Sequence, residues 1–279
     1  MKMSNDILPL FKSDLHLVYS DIETESLFYW CIHSIFNSSR SEWLLKADFS
    51  LSSEEINTFT EIVSRLKKHE PIQYVLGECE FCGLTFTLNP SCLIPRPETE
   101  ELVHWILEDN FKRGLDIGTG SGCIAISLAA LSNIQMNALD ISVGALELAK
   151  RNAKQNNVSI DFFTRDIFDD FQFDNKFDFI VSNPPYVLES EKLVMQKNVL
   201  DYEPELALFI NDDEALKYYE RIVEFSKMNL KDEGVLFFEI NEQKAIEIKR
   251  LLEKNLFSDI LIKKDMQGKN RMVKAVWKL

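Results

Sequence analysis

The tetrapeptide Asn183-Pro184-Pro185-Tyr186 follows directly on the apolar run Phe177-Asp178-Phe179-Ile180-Val181-Ser182, which sets an amide and a phenol at the end of a strand. In an open parallel sheet, the carboxyl ends of the strands are where ligands bind. Two consecutive prolines fix φ at about −65° and remove two backbone donors, so carbonyls of the turn are left to accept hydrogen bonds from another molecule. A primary amine or an amide NH2 group suits such a corner.

A second constellation is Asp116-Ile117-Gly118-Thr119-Gly120-Ser121-Gly122. Glycines between a strand and its helix let the backbone approach a ligand over the helix N-terminus. The spacing differs from the Gly-x-Gly-x-x-Gly of a dinucleotide site and lacks the Gly-Lys-Ser/Thr of a P-loop, and a tight turn without ligand would use the same residues. Asp140 closes the next strand about 20 residues downstream, where a carboxylate reaches a ribose diol. Its alternative role is an acid beside the helix cap Ser142. After the third strand, Asp166 can accept from an adenine amino group while Ile167 and Phe168 cover the ring face. A solvated turn over Asp166-Ile167-Phe168-Asp169-Asp170 is the alternative there. Together the three strand ends describe one adenosine-sized groove.

The elements that position these residues follow from apolar period. Leu27, Trp30, Cys31, Ser34 and Ile35, then Ile56, Phe59, Ile62, Val63 and Leu66, recur at helical spacing, and Ser52-x-x-Glu55 reads as a capping box. Residues 1–75 are therefore read as a small helical domain and residues 76–97, broken by Gly77, Gly83 and Pro90, as a linking β-hairpin. Residues 98–279 alternate helix and strand. Helices are expected over Leu102–Asn110, Cys123–Leu131, Ser142–Asn156, Asp213–Met228 and Gln243–Asn255. Strands are expected over Gly114–Ile117, Gln135–Leu139, Ser159–Thr164, Phe177–Ser182, Val235–Ile240, Ile260–Lys263 and Met272–Trp277. That order gives an α/β fold with a doubly wound, mostly parallel, seven-stranded Rossmann-like sheet.

Composition narrows the function classes. At 279 residues and 46% apolar, the chain can bury a full core. A net charge of −14 works against broad binding to phosphate backbones, and Lys263, Lys264, Lys269, Arg271 and Lys274 read as a solvated edge of the last strands. No basic region leads into an apolar core at the N-terminus, and no segment approaches ~18 uninterrupted apolar residues. The expectation is a cytoplasmic protein without membrane contact. Five scattered cysteines fit reduced thiols, and Cys79-x-x-Cys82 with nearby Cys92 lacks the second pair of a structural zinc site, so no metal is expected.

The glycine loop, Asp140, Asp166 and Asn183-Pro184-Pro185-Tyr186 resemble the motif series of class I S-adenosylmethionine-dependent methyltransferases that methylate a planar nitrogen. Gly77-Glu78-x-Glu80-Phe81, Ile94-Pro95-Arg96-Pro97-Glu98-Thr99-Glu100 and Asp265-x-x-Gly268-x-x-Arg271 further resemble the peptide chain release factor glutamine N5-methyltransferases. The resemblance spans nearly the whole chain and is weakest in the first ~70 residues. It implies S-adenosyl-L-methionine as cofactor, held by Gly118, Thr119, Gly120, Ser121, Gly122, Asp140, Asp166, Ile167 and Asn183. It also implies transfer of a methyl group to the glutamine amide nitrogen of a Gly-Gly-Gln loop in bacterial release factors. Asn183, Pro184, Pro185 and Tyr186 would bind that substrate, and Asn183, Pro184 and Tyr186 would carry catalysis.

An amide nitrogen is a poor nucleophile because its lone pair is delocalised into the carbonyl. Acceptors on both of its hydrogens, here the Asn183 side-chain oxygen and the Pro184 carbonyl, reshape it for in-line attack, with Tyr186 packed over the flat amide. Orientation can supply several of ~7–11 kcal/mol without a strong base. That agrees with His16, His33, His69 and His104 all preceding the glycine loop. Arg96 and Glu98 are read either as a lip over the cofactor's methionine end or as a stiff approach to the first helix. Glu239 is read either as a carboxylate at the mouth or as a helix-capping acid.

The partner expected is a release factor met as a protein by a monomer, with no direct nucleic-acid contact. A DNA adenine-N6 methyltransferase would use the same turn, but the acidic charge and the lack of a base-flipping recognition domain stand against it. An enzyme acting on glutamine of a ribosomal protein is poorly separated by these residues. A non-catalytic binding module is disfavoured by the intact Asn183 and glycine loop.

Overall fold

The computed structural model describes residues 4–46 and 48–278. The outermost residues of the expected domains, 1–3 and 279, lie outside them. The chain forms two compact units, one of residues 4–77 with 196–202, the other of residues 78–195 with 203–278.

The first unit begins with the helices α1 (Ser4–Leu15), α2 (Asp21–Phe36), α3 (Arg40–Leu45), α4 (Ser53–Leu66) and α5 (Ile72–Leu76). Ser39 and Ser52 close capping boxes with Glu42 and Glu55, as read for the second, and each such cap contributes about 1 kcal/mol. The core is aromatic: Phe28 is fully buried and stacks on Phe59 with centroids 6.2 Å apart. Along α2 the buried stripe is Thr24, Phe28, Cys31 and Ile32, which turns Trp30 to the surface at 51% exposure. The expected stripe through Trp30 is corrected accordingly: two positions on from the buried Phe28, Trp30 lies about 200° round the helix, on the opposite face.

The larger unit opens with the antiparallel hairpin β1 (Glu78–Phe81) and β2 (Leu84–Thr87). Then come α6 (Pro97–Leu107), β3 (Arg113–Ile117), α7 (Cys123–Leu131), β4 (Gln135–Asp140), α8 (Val143–Gln155), β5 (Asp161–Thr164), β6 (Phe177–Ser182) and β7 (Val187–Leu188). The one-turn helix α9 (Lys197–Leu200) belongs to the first unit, and α10 (Glu205–Leu208) returns to the second. β8 (Phe209–Ile210), α11 (Lys217–Asn229), β9 (Leu230–Glu239), α12 (Ala245–Lys254), β10 (Phe257–Lys264) and β11 (Asn270–Trp277) complete it. The first sheet helix starts at Pro97 rather than Leu102, because a proline suits the first turn, where no donor is needed.

Seven strands pair in the order β10-β11-β9-β6-β3-β4-β5, parallel except where β11 meets its two neighbours. Alternation sorts the apolar residues of each strand to two faces. Phe179, Val181 and Phe237 pack with α6 and α7, while Ile180 and Phe238 pack with α11 and α12. That is the doubly wound arrangement expected. Gly114 allows it at the centre, since a Cβ there would sit 2.2 Å from the Phe179 ring. The chain leaves β3 toward β4 on one side and β6 lies on the other, so a crevice opens at their carboxyl ends.

Candidate active site

Both singled-out motifs flank that crevice. The loop after β3 turns with Gly118, Gly120 and Gly122 at φ of 74°, 55° and 84°, values that side-chain-bearing residues rarely adopt. Gly118 has no heavy atom within 4 Å of a would-be Cβ, so the loop presents bare backbone to open space, whereas at Gly122 a Cβ would meet Ile126 at 2.7 Å. The Leu139 carbonyl accepts from the Gly118 and Thr119 amides at 2.9 and 3.0 Å. Asp140 extends the same brace: Oδ2 accepts from the Gly120 amide at 2.9 Å and Oδ1 from the Ser142 amide at 2.8 Å. Each oxygen keeps a further lone pair.

In front of the loop lies a cavity of about 570 Å³, in the range of small-molecule sites. Gly118, Thr119, Gly120, Ser121, Asp140, Asp166, Ile167, Asn183, Pro184 and Pro185, ten of the residues read from sequence, line it together. Gly122 stands behind the loop as the cap of α7, and Tyr186 turns toward the core beside the lining. Asp166 Oδ1 accepts from the Phe168 amide at 2.9 Å, which shapes the turn and holds Ile167 as wall. Phe168, half-exposed, meets Tyr218 edge-on at 5.3 Å.

Asp116 lies under the loop, 1% exposed, with the Thr119 hydroxyl donating to it at 2.6 Å. Burial pushes its carboxyl up from 3.8 to about 7, with the Thr119 bond opposing and the Asp140 charge adding. The folded chain keeps this proton over a pH range in which the unfolded chain has lost it. The contribution is thus fully present below pH 3.8, shrinks as pH rises, and is gone once pH passes about 7. Burial raises the Asp140 and Glu239 carboxyls in the same direction. Asp116→Asn is expected to flatten the fall in unfolding free energy between about pH 4 and pH 7, read by denaturant titration. An unchanged slope would show that Asp116 does not titrate in this window.

The turn after β6 is built from buried polar groups. Glu239, 1% exposed at the end of β9, accepts from the Thr99 hydroxyl at 2.6 Å and from the Tyr186 hydroxyl at 2.8 Å. Glu239 is therefore neither a carboxylate at the mouth nor a helix cap. Burial raises its carboxyl above the ordinary range, while both hydroxyls and the charge of Arg271 oppose the rise. Burial also pushes the Tyr186 phenol well up, so it remains a donor at neutral pH. Asn183 Nδ2 donates to Thr99 Oγ1 at 3.4 Å. Asn241 Nδ2 donates to the Tyr186 carbonyl at 3.2 Å, so that carbonyl is engaged, contrary to the expectation of a fully unpaired turn. Among the described residues, no donor reaches Asn183 Oδ1 or the Pro184 carbonyl.

Several site residues were not legible in the sequence. Glu203 is buried, bonded to Arg96 at 2.6 Å and to the Ile94 amide at 3.0 Å, and the adjoining Pro204, Leu206 and Ala207 line the cavity. Arg96 both lines the cavity and anchors this strap. Thr99 stands inside a motif that was read, yet its role depends on a residue far along the chain. The Asp265-x-x-Gly268-x-x-Arg271 motif makes the turn joining β10 to β11: Asp265 accepts from the Gln267 and Lys269 amides at 3.0 and 2.9 Å and from Arg271 Nε at 3.1 Å.

Of the cysteines set aside in the sequence reading, Cys92 lines the cavity, whereas Cys79 and Cys82 do not. Lys263, Lys269 and Lys274 pair with Glu108, Glu242 and Asp109, and Arg271 pairs with Asp265, so acids offset most of that basic run. Burial pushes the Cys79, Cys82 and Cys92 thiols up to about 12, too high for thiolate chemistry at neutral pH. Among the described residues, no histidine lines the cavity. No helix among the described residues is long and apolar enough to cross a membrane.

Comparison with known proteins agrees with this geometry. Residues 12–77 match the family model described as PrmC N-terminal domain, and residues 97–202 match that described as Methyltransferase small domain. A release factor glutamine methyltransferase from Flavobacterium psychrophilum is 44% identical over 273 residues, covering 95% of this chain and 96% of that protein. One from Bacteroides thetaiotaomicron is 41% identical over 276 residues, covering 97% and 99%. A solved methyltransferase structure from Pyrococcus furiosus matches with a TM-score of 0.55 at 20% identity, over 71% of this chain and 90% of that one. That last likeness concerns the fold alone.

Proposed function

We propose that this chain, which belongs to the release factor glutamine methyltransferase family, methylates the side-chain amide nitrogen of the glutamine in the Gly-Gly-Gln loop of bacterial release factors. The observation that carries the reading is the pair of unengaged oxygens, Asn183 Oδ1 and the Pro184 carbonyl, beside a cavity lined by the glycine loop. The residues present fit S-adenosyl-L-methionine: bare backbone at Gly118, carboxylates at Asp140 and Asp166, and apolar wall at Ile167. When bound, the cofactor supplies an electrophilic methyl group on a sulfonium.

The chain's own residues do the rest. Asp140 accepts from a ribose diol, Asp166 accepts from an adenine amino group, and Gly118 to Gly122 let the backbone approach. The Asn183 and Pro184 oxygens each take one hydrogen of the substrate amide, which favours the charge developing on nitrogen. Pro185 stiffens the corner, and Tyr186 confines the amide with its phenol anchored on Glu239. No general base of raised basicity is needed, since the proton is lost from an already cationic nitrogen.

We assign docking of the release factor to the helical unit, read as residues 1–75, with residues 76–97 as linker and 98–279 as the cofactor-holding domain. The enzyme is read as a cytoplasmic monomer. Labelled methyl transfer from S-adenosyl-L-methionine to purified release factors, ribosomal protein and duplex DNA, run in parallel, tests the function. Label confined to release factors, on the loop glutamine by mass spectrometry, is the expected result. Label on DNA alone would overturn it.

A further inference from the structure

Glu239 does not itself line the cavity, but it is bonded to Thr99, which does, and both ends of the Asn183-to-Tyr186 turn are tied to its carboxylate through Thr99 and Tyr186. An ionised carboxylate only accepts, so the Thr99 and Tyr186 protons both point at it. Thr99 Oγ1, its proton committed, can offer Asn183 only a lone pair. The Asn183 amide must then present nitrogen to Thr99, as the 3.4 Å contact shows, and turn its oxygen the other way.

The surroundings favour this polarity. Arg271 is held by Asp265 and donates to the Ile240 carbonyl at 3.5 Å, placing a positive charge near Glu239. Tyr219 donates to the Glu239 carbonyl at 3.2 Å, which fixes the end of β9. The charge of Glu98 opposes this polarity.

We propose that Glu239 is a positioning residue that sets, through Thr99, which face of the Asn183 amide meets the substrate. The inference rests on the reading of Asn183 Oδ1 as an acceptor. Replacing Glu239 by glutamine changes one group, but the polarity of the chain can then reverse. The new NH2 donates to Thr99 Oγ1, the Thr99 proton turns to Asn183, and the Asn183 amide flips to meet it with oxygen.

The test uses the full chain and a release factor substrate. Glu239→Gln is expected to lower kcat on the order of 10²-fold, with KM and cofactor Kd within about twofold and no loss of Tm. Thr99→Val is expected to fall by a similar factor, Thr99→Ser to recover most of that loss, and the double variant Glu239→Gln/Thr99→Val to be no worse than either single one. Should Glu239→Gln not fold, the Thr99 pair decides alone. Losses that multiply in the double variant, or an unimpaired kcat in Glu239→Gln or Thr99→Val beside an inactive Asn183→Ala, would overturn the positioning role only. Full activity in Asn183→Ala would instead remove the acceptor reading beneath it.

Discussion

Asn183→Ala is expected to lower kcat by about 10²–10³-fold while leaving the affinity for S-adenosyl-L-methionine within a few fold. The substitution removes one of two oxygens that are unengaged at the mouth of the crevice, and with it the acceptor for one hydrogen of the substrate amide. That interaction strengthens as charge grows on nitrogen, so its loss belongs to the transition state and appears in kcat more than in KM. Folding should be little affected, because the side chain is half-exposed and donates only the 3.4 Å bond to Thr99. Single-turnover kinetics together with calorimetric cofactor binding separate the two effects. An unchanged rate would mean that the oxygen grips nothing.

Asp140→Ala is expected to act in the opposite sense, weakening cofactor affinity by about 10–100-fold, with a smaller loss of kcat at saturating cofactor. Each lost charge-assisted hydrogen bond is worth roughly 1.5–3 kcal/mol. The Asp140 carboxylate also holds the Gly120 and Ser142 amides, so the variant loosens the glycine loop as well as the site's acceptor. Asp140→Asn separates these parts, since one amide oxygen can still accept a backbone bond. It should keep more stability than Asp140→Ala while its cofactor affinity stays low. Affinity equal to that of the unaltered chain in both variants would contradict a role at the ribose.

How far the sequence disclosed this depends on the range over which each signal acts. The strand Phe177–Ser182 and the helix Cys123–Leu131 have the expected bounds because the strand's apolar residues run up to the Asn183-Pro184 turn and an apolar run opens directly after Gly122 in the helix. The strand expected from Val235 begins at Leu230, ahead of Glu233 at a φ of 59° and Gly234, a break that periodicity reads as an end. The segment after Tyr186 was not assigned at all. Its strands are two residues long and its helices one turn, too short to show a period.

The site divides the same way. Residues in the glycine loop and the Asn183 turn were legible because chemistry and backbone constraint coincide within a few positions. The Glu203–Arg96 pair and the Glu239–Thr99 pair were not, because each joins residues more than a hundred positions apart, and nothing local marks the partner. Glu239 illustrates the cost of that distance. A carboxylate ending a strand can face the crevice or the core, and only the packing of α6 against β9, which brings Thr99 over it, decides for the core.

The most direct measurement is a crystal structure of the chain with a Gly-Gly-Gln peptide and the demethylated cofactor product. The glutamine amide nitrogen is expected within about 3.2 Å of both Asn183 Oδ1 and the Pro184 carbonyl, with its open side toward the sulfur. A nitrogen bonded to neither oxygen, or a peptide seated elsewhere with the corner closed by side chains, would contradict the account.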